Sequence, residues 1–174
     1  GIYLYDVSYG IERETQYNYP AINSLSEFYN SLRSYSIGED WELLLPEASL
    51  FRYDKYVDGD FKSYEAIGVF RGMDGVVYGF NGTQSFTENE DGSYKYTSTL
   101  RFDDNKYLSI SKSYASKTLE NGLKYNCVIT DNRGITYYFY HTDYEDNVIG
   151  TRENLKIVAV RDNYNNTIYY TYDN

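Results

Sequence analysis

Along residues 50–174, apolar and aromatic positions alternate with polar ones in short runs separated by turn-forming pairs. Phe51–Val57, Phe61–Phe70, Val76–Phe80, Ser93–Phe102, Tyr107–Ser113, Lys124–Thr130, Ile135–His141, Leu155–Arg161 and Thr167–Tyr172 each read as a strand. β-Branched and aromatic side chains at a period of two suit a half-buried pleated surface. Between them stand Asp58-Gly59, Asp74-Gly75, Asn81-Gly82, Asp91-Gly92, Asn121-Gly122 and Asn132-Arg133-Gly134. Such pairs adopt the positive φ angles of tight hairpin turns. The pattern predicts an all-β fold, an antiparallel sheet of successive hairpins.

Residues 1–49 are less regular. Ile2 to Tyr9 and Glu12 to Tyr19 read as one or two strands, and Pro20 stops the second. At most one short helix is expected, near residues 24–32, where Asn23 or Ser24 offers a cap and Glu27 suits the first turn. Gly38 bends the chain before a strand through Trp41 and Leu43–Leu45, which Pro46 ends. No Pro- or Ser-rich linker divides the chain, so 1–49 is an irregular lead-in to one domain and 50–174 its regular sheet.

Two segments share a grammar. Asp131-Asn132-Arg133-Gly134 runs into Ile135-Thr136-Tyr137-Tyr138-Phe139-Tyr140, and Asp162-Asn163-Tyr164-Asn165 runs into Asn166-Thr167-Ile168-Tyr169-Tyr170-Thr171-Tyr172. The Asp-Asn pairs lie 31 positions apart and the Tyr-Tyr pairs 32, as though one turn residue were inserted. A period of this size points to a repeated supersecondary unit; chance likeness between two hairpins is the simpler alternative.

Composition narrows the function. At 174 residues no staple is needed, and Cys127, the one cysteine, reads as a small hydrophobe in a strand. The 24 tyrosines suit sheets whose faces are partly wet. A formal charge of −10 argues against nucleic acid and against anionic membranes. No apolar run approaches the roughly 20 residues of a membrane helix, and Gly1-Ile2-Tyr3 does not open a signal peptide. Beginning and ending in strand-like sequence, the chain reads as a piece of something longer.

Catalytic chemistry finds no foothold. One His and one Cys leave little for a zinc site. His141 has no nucleophile-elbow sequence to serve and reads as a strand-end surface residue. Any of the 26 acidic residues could pair for glycoside hydrolysis, and nothing marks a chosen pair. There is no phosphate-binding Gly-rich loop. No cofactor is therefore expected. Asp58-Gly59-Asp60, Asp103-Asp104-Asn105 and Asp143 to Asn147 carry the oxygen ligands a calcium ion takes, without EF-hand spacing; solvated turns, the last an acidic hairpin tip, are the simpler reading. Trp41 and the row Tyr137, Tyr138, Tyr140 are candidates for stacking on a ligand, with packing in the sheet as the plainer role for Trp41.

Three passages resemble one family. They are Tyr29-Asn30-Ser31-Leu32 with Ile37-Gly38-Glu39-Asp40-Trp41-Glu42-Leu43; Phe70-Arg71-Gly72-Met73-Asp74-Gly75 with Val76-Val77-Tyr78-Gly79-Phe80; and Ile157 to Asp173. In order and spacing they are similar to the lead-in and repeat opening of the RHS, or YD-repeat, family, as in bacterial wall-associated and polymorphic-toxin proteins. Glu39-Asp40 replaces a glycine region of that pattern, and Asn165 stands where Gly is usual. The likeness covers residues 29–174. It implies a secreted or cell-surface β-strip that, many times repeated, spirals into a shell around a toxin effector, and it carries over no catalytic residue. On this reading the chain is a non-enzymatic scaffold fragment whose partner is the rest of a longer parent chain with further repeats. The strand Ile168, Tyr169, Tyr170, Thr171, Tyr172 is then an exposed pairing edge that favours a homodimer. The alternative is a carbohydrate-binding or adhesive β-module.

Overall fold

The fold was obtained as a computed structural model, which describes residues 35–38, 41–103, 107–147 and 150–172. The stretch where a short helix is expected lies outside them. Every described element is a strand: β1 Tyr35–Gly38, β2 Trp41–Leu43, β3 Glu47–Val57, β4 Asp60–Arg71, β5 Val77–Glu88, β6 Tyr94–Ser98, β7 Arg101–Phe102, β8 Ser109–Thr118, β9 Lys124–Thr130, β10 Thr136–Asn147, β11 Gly150–Arg161 and β12 Thr167–Tyr169. β1 and β2 form a small sheet of their own. The other ten form one antiparallel sheet, in the order β6-β5-β4-β3-β11-β10-β9-β8, with β7 beside β5 and β12 beside β11. Over the described residues the chain is all-β, as the alternation predicts.

The sheet is two meanders, β3 to β6 and β8 to β11, joined where Glu47–Tyr53 pairs with 150–156. Its ends curl towards each other. Tyr114 of β8 meets Phe86 of β5 edge-on at 5.4 Å and Tyr96 of β6 at 6.3 Å, so rings rather than ladder hydrogen bonds bring the two edges together. The result is a nearly closed barrel with a filled interior, one way to shelter sheet edges.

Register sets which residues face inward. Ala48 lies opposite Phe70 and Leu155, Phe70 opposite Tyr78, Phe139 opposite Cys127 and Ile157. These join Leu50, Phe80, Phe102, Ile129 and Tyr137 in the core. Cys127 is fully buried, and desolvation pushes its thiol up to about 12, so it packs as a hydrophobe. Both faces of the middle strands are covered, since Phe51, Tyr53, Ile67 and Val69 on the opposite parity are buried too.

Five hairpins close with the same turn. In Gly72–Val76, Asn89–Ser93, Leu119–Leu123, Asp131–Ile135 and Asp162–Asn166 the first residue's N–H donates to the carbonyl of the fifth and its carbonyl accepts the N–H of the fourth, around a three-residue loop. The last loop residue has positive φ: Gly75, Gly92, Gly122, Gly134 and Asn165. This is a type I turn followed by a left-handed residue, the usual three-residue hairpin. Asp58 and Gly59, both at positive φ, make the two-residue version. Asn165, at φ 66°, carries a Cβ in a conformation that suits Asn better than most residues. Asn165→Ala should cost about 1 kcal/mol and Asn165→Gly almost nothing; equal urea midpoints for the two variants would contradict the turn.

Four expectations need correction. Asn81-Gly82 is not a turn but the middle of β5, where Gly82 serves close approach: a Cβ there would lie 2.6 Å from the Thr99 carbonyl oxygen. Asp143 to Asn147 is not a hairpin tip; it pairs with Asn154 to Gly150 inside the β10–β11 ladder. The last strand stops at Tyr169: the Tyr170 N–H still donates to the Val158 carbonyl at 3.0 Å, and Tyr172 meets β11 through its hydroxyl, which donates to the Ile157 carbonyl at 2.6 Å. His141 is a half-buried inward residue, not a surface one.

Candidate functional site

Towards one end of the barrel the inward face changes from apolar to charged while keeping its register. On β3 the series Ala48, Leu50 continues to Arg52; on β11 Ile157, Leu155 continues to Glu153. On β8 Ile110 gives way to Lys112, and on β10 Phe139 to His141. These side chains, with Phe86, Tyr96 and Tyr114, line a cavity of about 330 Å³ at the barrel mouth.

Glu153 is the hinge of its electrostatics. Its carboxylate is almost wholly buried, with Lys112 Nζ at 2.9 Å and Arg52 Nη1 at 3.8 Å. A buried carboxylate is costly unless paired, and here two cations face it. The Arg52 guanidinium also lies 4.8 Å from the centre of the Tyr64 ring. On the neighbouring strand β9 the Asn126 side-chain amide nitrogen contacts His141 Nδ1, and Asn126 Oδ1 accepts the His141 backbone N–H at 3.4 Å. Burial holds the imidazole pKa below its ordinary value, with Lys112 adding to the effect and Glu153 opposing it. Neutral imidazole with Nδ1 accepting from Asn126 fits that environment. Desolvation also raises the Tyr96 hydroxyl, keeping it protonated.

The residues singled out from sequence fall elsewhere. Trp41 lies in β2, opposite Gly38. Tyr137, Tyr138 and Tyr140 do not form a row, because neighbours on a strand point to opposite faces. Tyr137 is fully buried and unavailable to an outside ligand; its hydroxyl donates to Asp131 Oδ2 at 3.2 Å and accepts from the Met73 N–H at 3.3 Å. Tyr138 packs edge-on against Tyr125 at 5.0 Å with the Arg161 guanidinium 5.5 Å from its ring centre, and Tyr140 stacks with the His141 ring at 5.2 Å. Among the described residues no three His, Cys, Asp or Glu side chains group as a metal site would need, and no helix is long and apolar enough to cross a membrane.

The pairing edge is shorter than expected. Ile168 and Tyr169 of β12 are 52% and 39% exposed, whereas Tyr170 and Tyr172 pack against the core cluster and Lys156 Nζ sits 4.6 Å over the Tyr172 ring. β12 pairs only with the second half of β11, Ala159 to Arg161, beside the half that pairs with β3.

The two Asp-Asn hairpins are alike in detail. Asp131 Oδ1 accepts the N–H groups of Arg133 (2.9 Å) and Ile135 (3.1 Å); Asp162 Oδ1 accepts those of Tyr164 and Asn166 (2.9 Å each). In the turns at Asp74, Asp91 and Asn121 the accepting side chain instead sits inside the loop, two residues later in the turn. The Asp-first turns are thus a distinct pair of equal length. The offset is 31 residues through Thr136 and Thr167, which both flank Arg161 in the ladders. The extra residue between the Tyr-Tyr pairs therefore lies in the strand, not in the turn.

Compared with protein-family models, curated proteins and solved structures, the chain matches none.

Proposed function

We propose that this chain is a non-enzymatic β-scaffold of the kind that the RHS, or YD-repeat, proteins build, secreted or displayed at a bacterial surface. The observation that carries the reading is the pair of Asp-first hairpins, 31 residues apart and equal in turn, hydrogen bonds and register. The second ends in β12, which has β11 on one flank and no strand on the other among the described residues. A further hairpin of the same grammar would add there by backbone pairing, the general mode of strand addition. Its partner is then the remainder of a longer parent chain carrying more repeats. In toxin-bearing members such an array houses an effector. The barrel closed by Phe86, Tyr96 and Tyr114 would be the filled end on which the strip is built.

The isolated chain should self-associate through β12, since an unpaired edge with exposed Ile168 and Tyr169 is a template for a second copy. Sedimentation velocity across a wide concentration range should show a reversible dimer, and Ile168→Lys with Tyr169→Lys should return it to monomer. A strict monomer at every concentration, or a dimer indifferent to both lysines, would refute the edge-pairing reading.

A further inference from the structure

The charged mouth of the barrel is not accounted for by a scaffold role, and what it holds goes beyond that reading. A barrel end needs only side chains that exclude water, and the chain has aromatic residues to spare. Instead Arg52, Lys112 and Glu153 converge from three strands on a cavity of about 330 Å³. That volume is at the small end for ligand pockets, the size of a molecule with one ring.

The chemistry of the occupant follows from what faces it. Among the described side chains two cations oppose one carboxylate and burial disfavours the imidazolium, so these residues carry about one positive charge in a chain of net −10. Lys112 is held by Glu153 at 2.9 Å. Arg52 is not tied in that way. Its nearest carboxylate oxygen is 3.8 Å away, beyond hydrogen-bond range, and its side chain is 19% exposed. A guanidinium with donors to spare at a cavity wall matches a carboxylate, which it can grip with two parallel hydrogen bonds. The single excess charge favours a monoanion over a dianion such as phosphate. The opposite wall is aromatic: Phe86 and Tyr96 lie 5.0 Å apart, and Tyr114 closes on both while 70% exposed to solvent. Rings set in this way stack on a flat apolar body or on the C–H face of a sugar.

A second observation points the same way. Gln84 lies on the inward face of β5, two residues from Phe86 and opposite Tyr64 and Ser98. Its side chain is fully buried, and neither amide atom has a hydrogen-bond partner. Buried amides are normally satisfied, so the inward face beside the mouth retains unmet hydrogen-bonding capacity.

We propose that the barrel mouth binds a small monocarboxylate carrying one ring, with its carboxylate on Arg52 and its ring against Phe86, Tyr96 and Tyr114. The shared chemistry could come from an aromatic acid or a sugar acid, and the two are separated by titrating the intact chain with benzoate and with glucuronate, followed by amide chemical shifts. Benzyl alcohol, glucose and inorganic phosphate are the matched controls. At least one acid should saturate, shifting residues of β3, β8 and β11, and should bind about tenfold or more tightly than its neutral counterpart and than phosphate, as a charge-assisted contact predicts. Arg52→Gln should lose about the same factor. Tyr114→Ala, at a position 70% exposed, should weaken binding by removing a ring, with the amide spectrum of the unliganded variant checking that the sheet is kept. Failure of both acids to saturate, equal binding of a neutral counterpart or of phosphate, or unchanged affinity in Arg52→Gln or Tyr114→Ala would overturn the proposal. The β12 variants leave the mouth untouched, so this result and the dimer result can fail separately.

Discussion

Phe70→Ala should be among the most damaging single truncations in the described sheet, lowering stability by about 3–5 kcal/mol. Phe70 is 1% exposed and lies where both meanders meet. Its ring touches Tyr137 at 4.9 Å, Phe102 at 6.0 Å, Phe139 at 6.1 Å and Tyr78 at 6.4 Å, three of the four edge-on or nearly so. Alanine removes the buried area and leaves a cavity that rings fixed on three different strands cannot collapse to fill. Urea unfolding followed by tyrosine fluorescence measures the loss; an unchanged slope would show that the folded state is otherwise intact. Tyr114→Ala, at a site 70% exposed that gives up two ring contacts, should by contrast cost about 1 kcal/mol. A Phe70→Ala penalty as small as that would mean the barrel interior is not packed as described.

Turns were legible because their chemistry is local: a left-handed loop residue demands Gly or Asn, and Asp74, Asp91, Asn121, Asp131 and Asp162 each bond the backbone of their own turn. Asn81-Gly82 carries the same letters for another reason, the approach of the Thr99 backbone, and that reason is long-range. The stacking row failed on parity. Tyr137 belongs to the core face and Tyr138 with Tyr140 to the other, and a run of tyrosines does not reveal which is which. Tyr172 reads as strand, yet the Ile157 carbonyl that captures it is set by the path of β11.

The mouth was hidden for a related reason. Arg52, Lys112 and Glu153 each stand two residues from an apolar inward position, Leu50, Ile110 and Leu155. A charge in phase with the buried face, rather than out of phase with it, was the available signal. Reading it requires knowing the phase, and β11 has a register shift between its pairings with Tyr138 and Phe139 that resets the phase midway. Only pairing brings three such anomalies, distant in sequence, into one cavity.

Glu153→Gln tests whether those anomalies act together, and it should cost about 3–5 kcal/mol despite altering a single atom type. The carboxylate is 1% exposed, so its charge is not shared with solvent, and it is the counter-ion of Lys112, itself 5% exposed. The amide is nearly the same shape but cannot balance an ammonium, so the variant buries a cation with Arg52 close by and no anion between them. Breaking one side of a buried pair is expensive for that reason, whereas replacing both partners by apolar residues of similar volume is often neutral. The double variant Lys112→Met with Glu153→Leu should therefore recover most of the loss. If the double variant is as unstable as Glu153→Gln, the cost came from packing and the pair contributes nothing of its own. If it regains stability, the charges were kept in the mouth at no benefit to the fold, as a binding site requires.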